Sequence, residues 1–387
     1  MELSDRVKKI HPSATLGITA RANKMKAEGI DVVSFGAGEP DFPTPGNVSK
    51  AGIEAIEKNF TRYTPSTGIV QLKDAIVEKF KRDNKLTYDA SQVVVSCGAK
   101  HSLYNIFQAI CNDGDEVIIP SPFWVSYPEM VLLAGAKPVI LNAEIKNGLK
   151  ITPKQLSFVL TKKTKAVVIN SPSNPTGVVY SEVELRELAK VILGSNACVV
   201  SDEIYEELIY DGLKHVSIAS LGDDIFKRAF VVNGVSKSYS MTGWRIGYAA
   251  GPKDVMSVIS NLQDHSTSNP TSISQKAALE ALKGSQDSVK KMCAEFTKRR
   301  DYICQRFDKM KKVSYVRPQG AFYIFVDISK SGLKSMEFAK VLLEDEHVAV
   351  IPGEPFGWDN YIRLSFAASM EDMKKGLDRI EKWLDKR

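Results

Sequence analysis

Between residues 93 and 250 seven short apolar runs, at 93–97, 116–119, 137–141, 166–170, 198–202, 230–233 and 246–250, alternate with amphipathic stretches such as 102–111 and 182–193. The runs are rich in Val and Ile and are bounded by turn-forming residues, which predicts strands buried on both faces. Strands alternating with helices build a mostly parallel sheet covered on both sides, an α/β architecture. Such sheets hold ligands at the carboxyl ends of their strands. Gly98, Asn174, Asp202 and Lys237 each follow one of the runs, so chemically distinctive residues stand where a site is expected.

The chain has 387 residues, too many for one small core. Its character changes near residue 285. A long charged helical pattern covers 287–311, followed by a short strand at 314–316, a Pro-Gln-Gly turn, a strand at 322–326, a helix at 335–344, a strand at 348–351 and a terminal helix from Met370. These predict a smaller α+β domain. The division expected is an N-terminal arm and small-domain segment over 1–45, a large domain over 46–285 and a C-terminal small domain over 286–387.

The densest chemistry lies in Ser236-Lys237-Ser238-Tyr239-Ser240-Met241-Thr242-Gly243-Trp244-Arg245. A lysine in a crowded pocket beside other cations loses its proton more easily and becomes able to form a Schiff base with a carbonyl. The serines and Arg245 offer donors suited to a phosphate, Arg through its planar fork. An aldehyde cofactor with a phosphate handle needs this pair of features, and pyridoxal 5'-phosphate fits.

Other motifs agree. In Asn170-Ser171-Pro172-Ser173-Asn174-Pro175-Thr176-Gly177 the prolines shape a turn, and they also hold the Asn174 amide rigidly enough to be aimed at a ring oxygen. Asp202 ends an apolar run; it reads either as a helix cap or as the partner of a pyridinium nitrogen, since a buried carboxylate needs a cation. Tyr205, one helical turn on, projects to the same side, whereas the neighbouring Glu203 reads as structural. Cys97-Gly98-Ala99-Lys100 joins a strand to a helix and exposes backbone N–H groups of the kind that seat phosphate. Trp124 is core packing or a flat face for stacking on a ring. Arg363, alone among apolar residues, needs either a salt bridge or a substrate carboxylate. The run Gly36-Ala37-Gly38 lacks the third glycine and the strand–helix setting of a dinucleotide site.

Several classes are set aside. The net charge of +6 arises from scattered lysines, a solvated surface rather than a nucleic-acid face. No apolar stretch approaches the ~20 residues a membrane helix needs, and the first residues lack the apolar core of a secretory signal, so a cytoplasmic location is expected. The five cysteines, at 97, 111, 198, 293 and 304, form no C-x-x-C pair and the five histidines do not cluster with them; reduced buried thiols and no metal site are expected.

Taken together the motifs resemble class I, fold-type I pyridoxal-phosphate aminotransferases, nearest the bacterial and archaeal subgroup Ib of aspartate aminotransferases. The Asn-Pro-x-Gly loop, the Asp-Glu-x-Tyr segment and Ser-Lys-x(7)-Arg occur in family order, and the likeness runs from Pro12-Ser13-Ala14-Thr15 to Arg363. The resemblance implies a large domain with a mostly parallel seven-stranded sheet. It implies Lys237 as the Schiff-base residue and acid–base catalyst, with Asp202 on the pyridinium, Asn174 and Tyr205 on the ring oxygen and Trp124 stacked on the ring. Phosphate contacts would come from Gly98, Ala99, Lys100, Ser236 and Arg245, joined by Tyr63 from a neighbouring subunit, which makes the enzyme a homodimer with shared active sites. Arg363 would clamp the substrate α-carboxylate, with Gly38, Trp124 and Asn174 nearby, and Lys100, Ser13 and Thr15 would meet a distal carboxylate. The implied reaction is ping-pong transfer of the amino group of L-aspartate to 2-oxoglutarate. Enzymes for aromatic or neutral amino acids, for kynurenine or for aspartate and prephenate share the pattern, as do C–S lyases. The prephenate-accepting members tend to carry a lysine where this chain has His11.

Overall fold

The computed structural model describes residues 2–11 and 14–387, and the side chains of Arg6, Ala14, Thr15 and Leu16 lie outside that description. Among the described residues the strands are β1 (Val33–Ser34), β2 (Val93–Ser96), β3 (Glu116–Ser121), β4 (Lys137–Asn142), β5 (Thr164–Asn170), β6 (Cys198–Asp202), β7 (Ala229–Gly234), β8 (Gly247–Ala250), β9 (Ser314–Tyr315), β10 (Tyr323–Asp327), β11 (Val348–Ala349), β12 (Ile351–Pro352) and β13 (Tyr361–Ser365). The seven predicted runs form one seven-stranded sheet in the order β2-β8-β7-β6-β5-β3-β4. All neighbours are parallel except β8, which runs against both β2 and β7.

Alternation along the central strands divides their side chains between two cores, as the two-residue period of a strand requires. Val167, Ile169, Val199 and Val231 point into one, and Ala166, Val168, Val200 and Val232 into the other. Helices cover both faces. The helix Glu182–Leu193 shows why such segments fold locally: Ser181 and Glu184 form a reciprocal capping box, and Leu185, Leu188, Ala189 and Ile192 make one buried stripe. The edge strand β4 is exposed at Lys137, Ile140 and Asn142, and its charge discourages pairing with another chain.

The C-terminal part packs a four-stranded sheet, β12-β13-β10-β9, against the helices Asp287–Phe307, Ser335–Glu346 and Met370–Asp385. Two predicted elements differ. The long helix ends at Phe307 rather than at 311, because Met310 and Val313 turn inward to join the core that already buries Phe307. The run 348–351 is not one strand. β11 pairs parallel with β1, whereas β12 pairs antiparallel with β13, so a single stretch of chain serves two sheets.

Past the end of β6 the same alternation sends Glu203 to the face opposite Asp202. There its carboxylate accepts bonds from Ser201 Oγ (2.7 Å) and Ser217 Oγ (2.6 Å) and pairs with His215 Nε2 (2.8 Å). Glu206 beside it is paired with the Lys79 ammonium and accepts bonds from Asn84 (2.6 Å) and Asn233 (2.7 Å). Glu203, Glu206 and His215 approach one another closely enough to hold a metal ion, but Lys79 already supplies a cation there.

Burial disfavours a charged His215, but Glu203 and Glu206 together outweigh it and hold the imidazolium pKa above its ordinary value of 6.5. A group whose pKa rises on folding contributes stability that is complete below its unfolded pKa and is lost as pH climbs through the folded value. Replacing His215 with Gln is therefore expected to cost about 1–2 kcal/mol below pH 6.5 and progressively less above it. Urea melts across pH check this; a difference that grows with pH contradicts the sign.

Candidate active site

A cavity of about 610 Å³ opens at the carboxyl edge of the seven-stranded sheet, where the C-terminal sheet and the N-terminal segment meet it. Gly38, Ala99, Lys100, Trp124, Asn174, Asp202, Tyr205, Ser236, Lys237, Arg245 and Arg363 all line it. Residues scattered over more than 300 positions converge because β5, β6 and β7 end side by side, and the loops leaving them enter the same space.

The reversal of β8 brings the phosphate-type groups together. β2 ends and β8 begins at the same edge, with Ser96 opposite Gly247. Gly98 follows one strand and Arg245 precedes the other. Gly98 (φ +92°) caps the helix Ala99–Ile110, and a Cβ on it would lie 2.4 Å from Arg245 Nη2. A Cβ on Gly247 would lie 2.1 Å from the Ala99 nitrogen, so only glycine lets the helix N-terminus sit against the strand. Arg245 adopts φ 56°, a left-handed backbone that is costly for a side-chain-bearing residue and typical of functional sites. Its guanidinium donates to the carbonyls of Thr242 (2.7 Å) and Cys97 (3.2 Å).

Lys237 stands at the centre. Its Nζ donates to the Gly38 carbonyl at 2.5 Å and lies 5.9 Å from the Tyr205 ring. Desolvation pushes its pKa down to about 8; Glu39 opposes this, and Arg363 and Arg245 add to it. The loop bearing Lys237 is pinned to the N-terminal segment, since Thr242 donates to Glu39 (2.6 Å), Trp244 to Thr44 (3.0 Å) and Thr44 to the Ser240 carbonyl (2.8 Å).

Asp202 is 4% exposed. Its Oδ2 accepts from the Tyr127 hydroxyl at 2.6 Å. Burial lifts its pKa to about 6 although the Tyr127 bond acts the other way. Trp124 packs edge-on to Tyr127, with centroids 5.3 Å apart, and Lys100 Nζ sits 5.0 Å over the Trp124 ring. Burial, and then Arg245, lower the Lys100 pKa. Ser236 is buried beside Lys237.

Arg363, on β13, is buried among Tyr323, at 4.4 Å from guanidinium to ring, and Phe356, at 5.3 Å. It donates to Asn174 Oδ1 (3.0 Å) and to the Gly36 carbonyl (3.1 Å), and its Nε has no partner. Among the described residues no carboxylate pairs with it. The structural salt bridge left open by the sequence is therefore absent from that set, and the bond to Asn174 Oδ1 turns the amide NH₂ of Asn174 away from Arg363.

Not every expected residue lines the cavity. Tyr63 is 91% exposed and stands outside it. Ser13 and the side chain of Thr15 lie outside the described residues. Conversely Tyr127, Tyr323, Asn170, Glu39 and Phe356 line the cavity without having been singled out. Tyr127 follows Trp124 by three positions and begins a helix, a weak local signal for a shared face. Tyr323 carries no sequence signal beyond its strand.

The profile of class I and II aminotransferases matches residues 30–380. The chain is 51% identical over 387 residues, 99% of each protein, to an aspartate aminotransferase of Bacillus sp. (strain YM-2). Its fold is similar to the crystal structure of an aspartate aminotransferase of Rhizobium meliloti, with a TM-score of 0.96 and 40% identity over 100% of this chain and 99% of that one. It is also similar to the aspartate aminotransferase of Thermus thermophilus solved with maleate, with a TM-score of 0.95 and 40% identity over 99% of each. With its site geometry, its seven-stranded sheet and these full-length likenesses, the chain belongs to the aminotransferases of class I and II.

Proposed function

We propose that this chain is a pyridoxal 5'-phosphate-dependent aspartate aminotransferase, exchanging the amino group between L-aspartate and 2-oxoglutarate to give oxaloacetate and L-glutamate. The observation that carries the reading is one cavity faced by both a desolvated lysine and a buried guanidinium whose Nε is unpartnered.

The residues fit the cofactor. The helix N-terminus at Ala99 and Lys100, the Ser236 hydroxyl and the Arg245 fork form a donor set suited to a phosphate, and the missing Cβ of Gly98 makes room for the Arg245 guanidinium. Asp202 would hold a proton on the ring nitrogen, its carboxylate steadied by the bond from the Tyr127 hydroxyl. Asn174 and Tyr205 would donate to the ring oxygen, and Trp124 would offer its face to the ring. When bound, pyridoxal phosphate supplies a ring that takes up the electron pair left on a substrate Cα after proton loss. Lys237, with a pKa near 8, is neutral often enough at physiological pH to take that proton and returns it as an acid. Arg363 holds the α-carboxylate through two donors and so fixes the Cα hydrogen toward Lys237.

Lys100 is the residue proposed to meet the second carboxylate. It lines the cavity, and a dicarboxylate, maleate, accompanies the similar Thermus thermophilus enzyme. Ser13 and Thr15 belong to the same proposal. The division at residues 45 and 285, a cytoplasmic location and a homodimer complete it. Tyr63, 91% exposed, shares its stretch of chain with Ile53, Ile56 and Val70, each at least 52% exposed, which is the kind of apolar surface a partner subunit covers.

Lys237→Ala is expected to fold and to lose transamination by at least a thousandfold. Borohydride treatment of the wild-type holoenzyme should fix a pyridoxyl adduct on the peptide bearing Lys237, and an unmodified peptide contradicts the reading. Lys100→Ala should lower kcat/KM for aspartate about tenfold to a hundredfold, the worth of a charged hydrogen bond, and lower that for alanine far less. An equal loss on both substrates removes the distal-carboxylate role. Mixing inactive Lys237→Ala with Tyr63→Ala subunits should restore activity through hybrid dimers holding one intact site; no recovery shows that Tyr63 does not cross between subunits.

A further inference from the structure

Tyr323 opens β10 and is fully buried between two residues with proposed roles. Its hydroxyl lies 2.9 Å from the hydroxyl of Tyr205, and the two rings meet edge to face at 5.8 Å and 82°. The Arg363 guanidinium rests 4.4 Å over the Tyr323 ring. Phe322, packed against both tyrosines at 5.5 Å and 4.6 Å, leaves neither ring room to swing away.

Two phenols sharing one hydrogen bond must divide the roles of donor and acceptor. The charges around them decide which is which. Burial raises the pKa of Tyr323, and Arg363 pulls it back down while Glu39 opposes. Around Tyr205 burial again dominates, Tyr323 itself adds to it, Arg363 lowers the pKa and Asp202 raises it. Either hydroxyl can donate, but the guanidinium lies over the Tyr323 ring and a phenol beside a cation is the better donor, which favours Tyr323 as donor to the Tyr205 oxygen. The Tyr205 proton is then left free to point into the cavity.

We infer that Tyr323 is a positioning residue of this site, whose hydroxyl bonds to Tyr205 and thereby directs the Tyr205 hydroxyl at the cofactor's ring oxygen. The inference rests on the pyridoxal-phosphate reading above. Without the Tyr323 hydroxyl the Tyr205 oxygen accepts no hydrogen bond, and its own proton is held less firmly and given less strongly to the ring oxygen. A ring oxygen served by a weaker donor keeps a proton at the nearby Lys237 nitrogen to higher pH, because a hydrogen bond to a negative oxygen favours the charged form.

The test uses holoenzymes of the wild type, Tyr323→Phe, Tyr205→Phe and the double variant, with the visible absorbance of the bound cofactor titrated against pH. Tyr323→Phe keeps the ring beneath Arg363. Its titration midpoint should rise by roughly half to one pH unit, the worth of one neutral hydrogen bond. The double variant should titrate as Tyr205→Phe does, since Tyr323 acts only through that hydroxyl. Maleate affinity, which reads the Arg363 clamp, should change no more than about twofold because the cation–ring contact survives. A midpoint in Tyr323→Phe that stays put or falls, or shifts that add in the double variant, overturn the assignment. Failure of the underlying reading looks different: the wild type would then show no pH-dependent cofactor band at all, and both would fall.

Discussion

One strand of the seven-stranded sheet runs against its neighbours, and the site exists because of it. In a wholly parallel sheet the residues preceding β8 would emerge at the far edge, a strand length from those that follow β2. Reversal puts Arg245 and Gly98 on the same edge, and the pairing of Ser96 and Gly234 with Gly247 fixes their register. The helix Ala99–Ile110 can then lay its N-terminus on that edge only because Gly247 has no side chain to meet the Ala99 nitrogen. The donors of one turn and the fork of another thus share one anion's worth of space.

The cavity's charges are arranged by removing their usual partners. Lys237 bonds a carbonyl, Arg363 bonds a carbonyl and an amide, and Arg245 bonds two carbonyls. Neutral acceptors hold these cations in place without cancelling their charge, so each retains its attraction for an incoming anion. The opposite holds on the reverse face of the sheet. There Glu203 and Glu206 are fully engaged by His215, Lys79, two serines and two asparagines. Removing Lys79 would strand the buried Glu206 carboxylate, commonly at a cost of about 3–5 kcal/mol. Carboxylates held by so many partners behind the open cavity keep the end of β6, and with it Asp202, in place.

What the sequence disclosed and what it withheld follow from the range of the signals. Lys237, Asp202, Asn174 and Arg245 each sit in a local motif at the end of a strand-like run, so their gathering at one edge was legible once the parallel sheet was read. From its residues the loop 36–41 read only against a dinucleotide motif, and the resemblance added Gly38 near the substrate, yet its carbonyls hold Lys237 and Arg363. Tyr127 and Tyr323 depend on packing between elements 75 and 118 residues apart, which no local pattern encodes. Gln263 is another such case. It is fully buried and bonds Ser66, Val95, Ser96 and Asn105, thereby fixing β2, the following helix and the loop that carries Tyr63. The division of residues 348–352 between two sheets was likewise hidden, because five apolar residues look the same whether they serve one partner or two.

That division has a mechanical consequence. β11 grips β1, from which the chain runs straight into Gly36 and Gly38, while β12 grips β13 beside Arg363, with Ile351 directly opposite it. The Ser365 nitrogen adds a further bond to the Phe35 carbonyl, 2.8 Å away. The Arg363 guanidinium and the Gly36 carbonyl it bonds, though more than 300 residues apart in the chain, are therefore riveted to one short girder. Any displacement of the C-terminal sheet carries both together, and the bonds from Lys237 to Gly38 and from Thr242 to Glu39 couple that motion to the lysine loop.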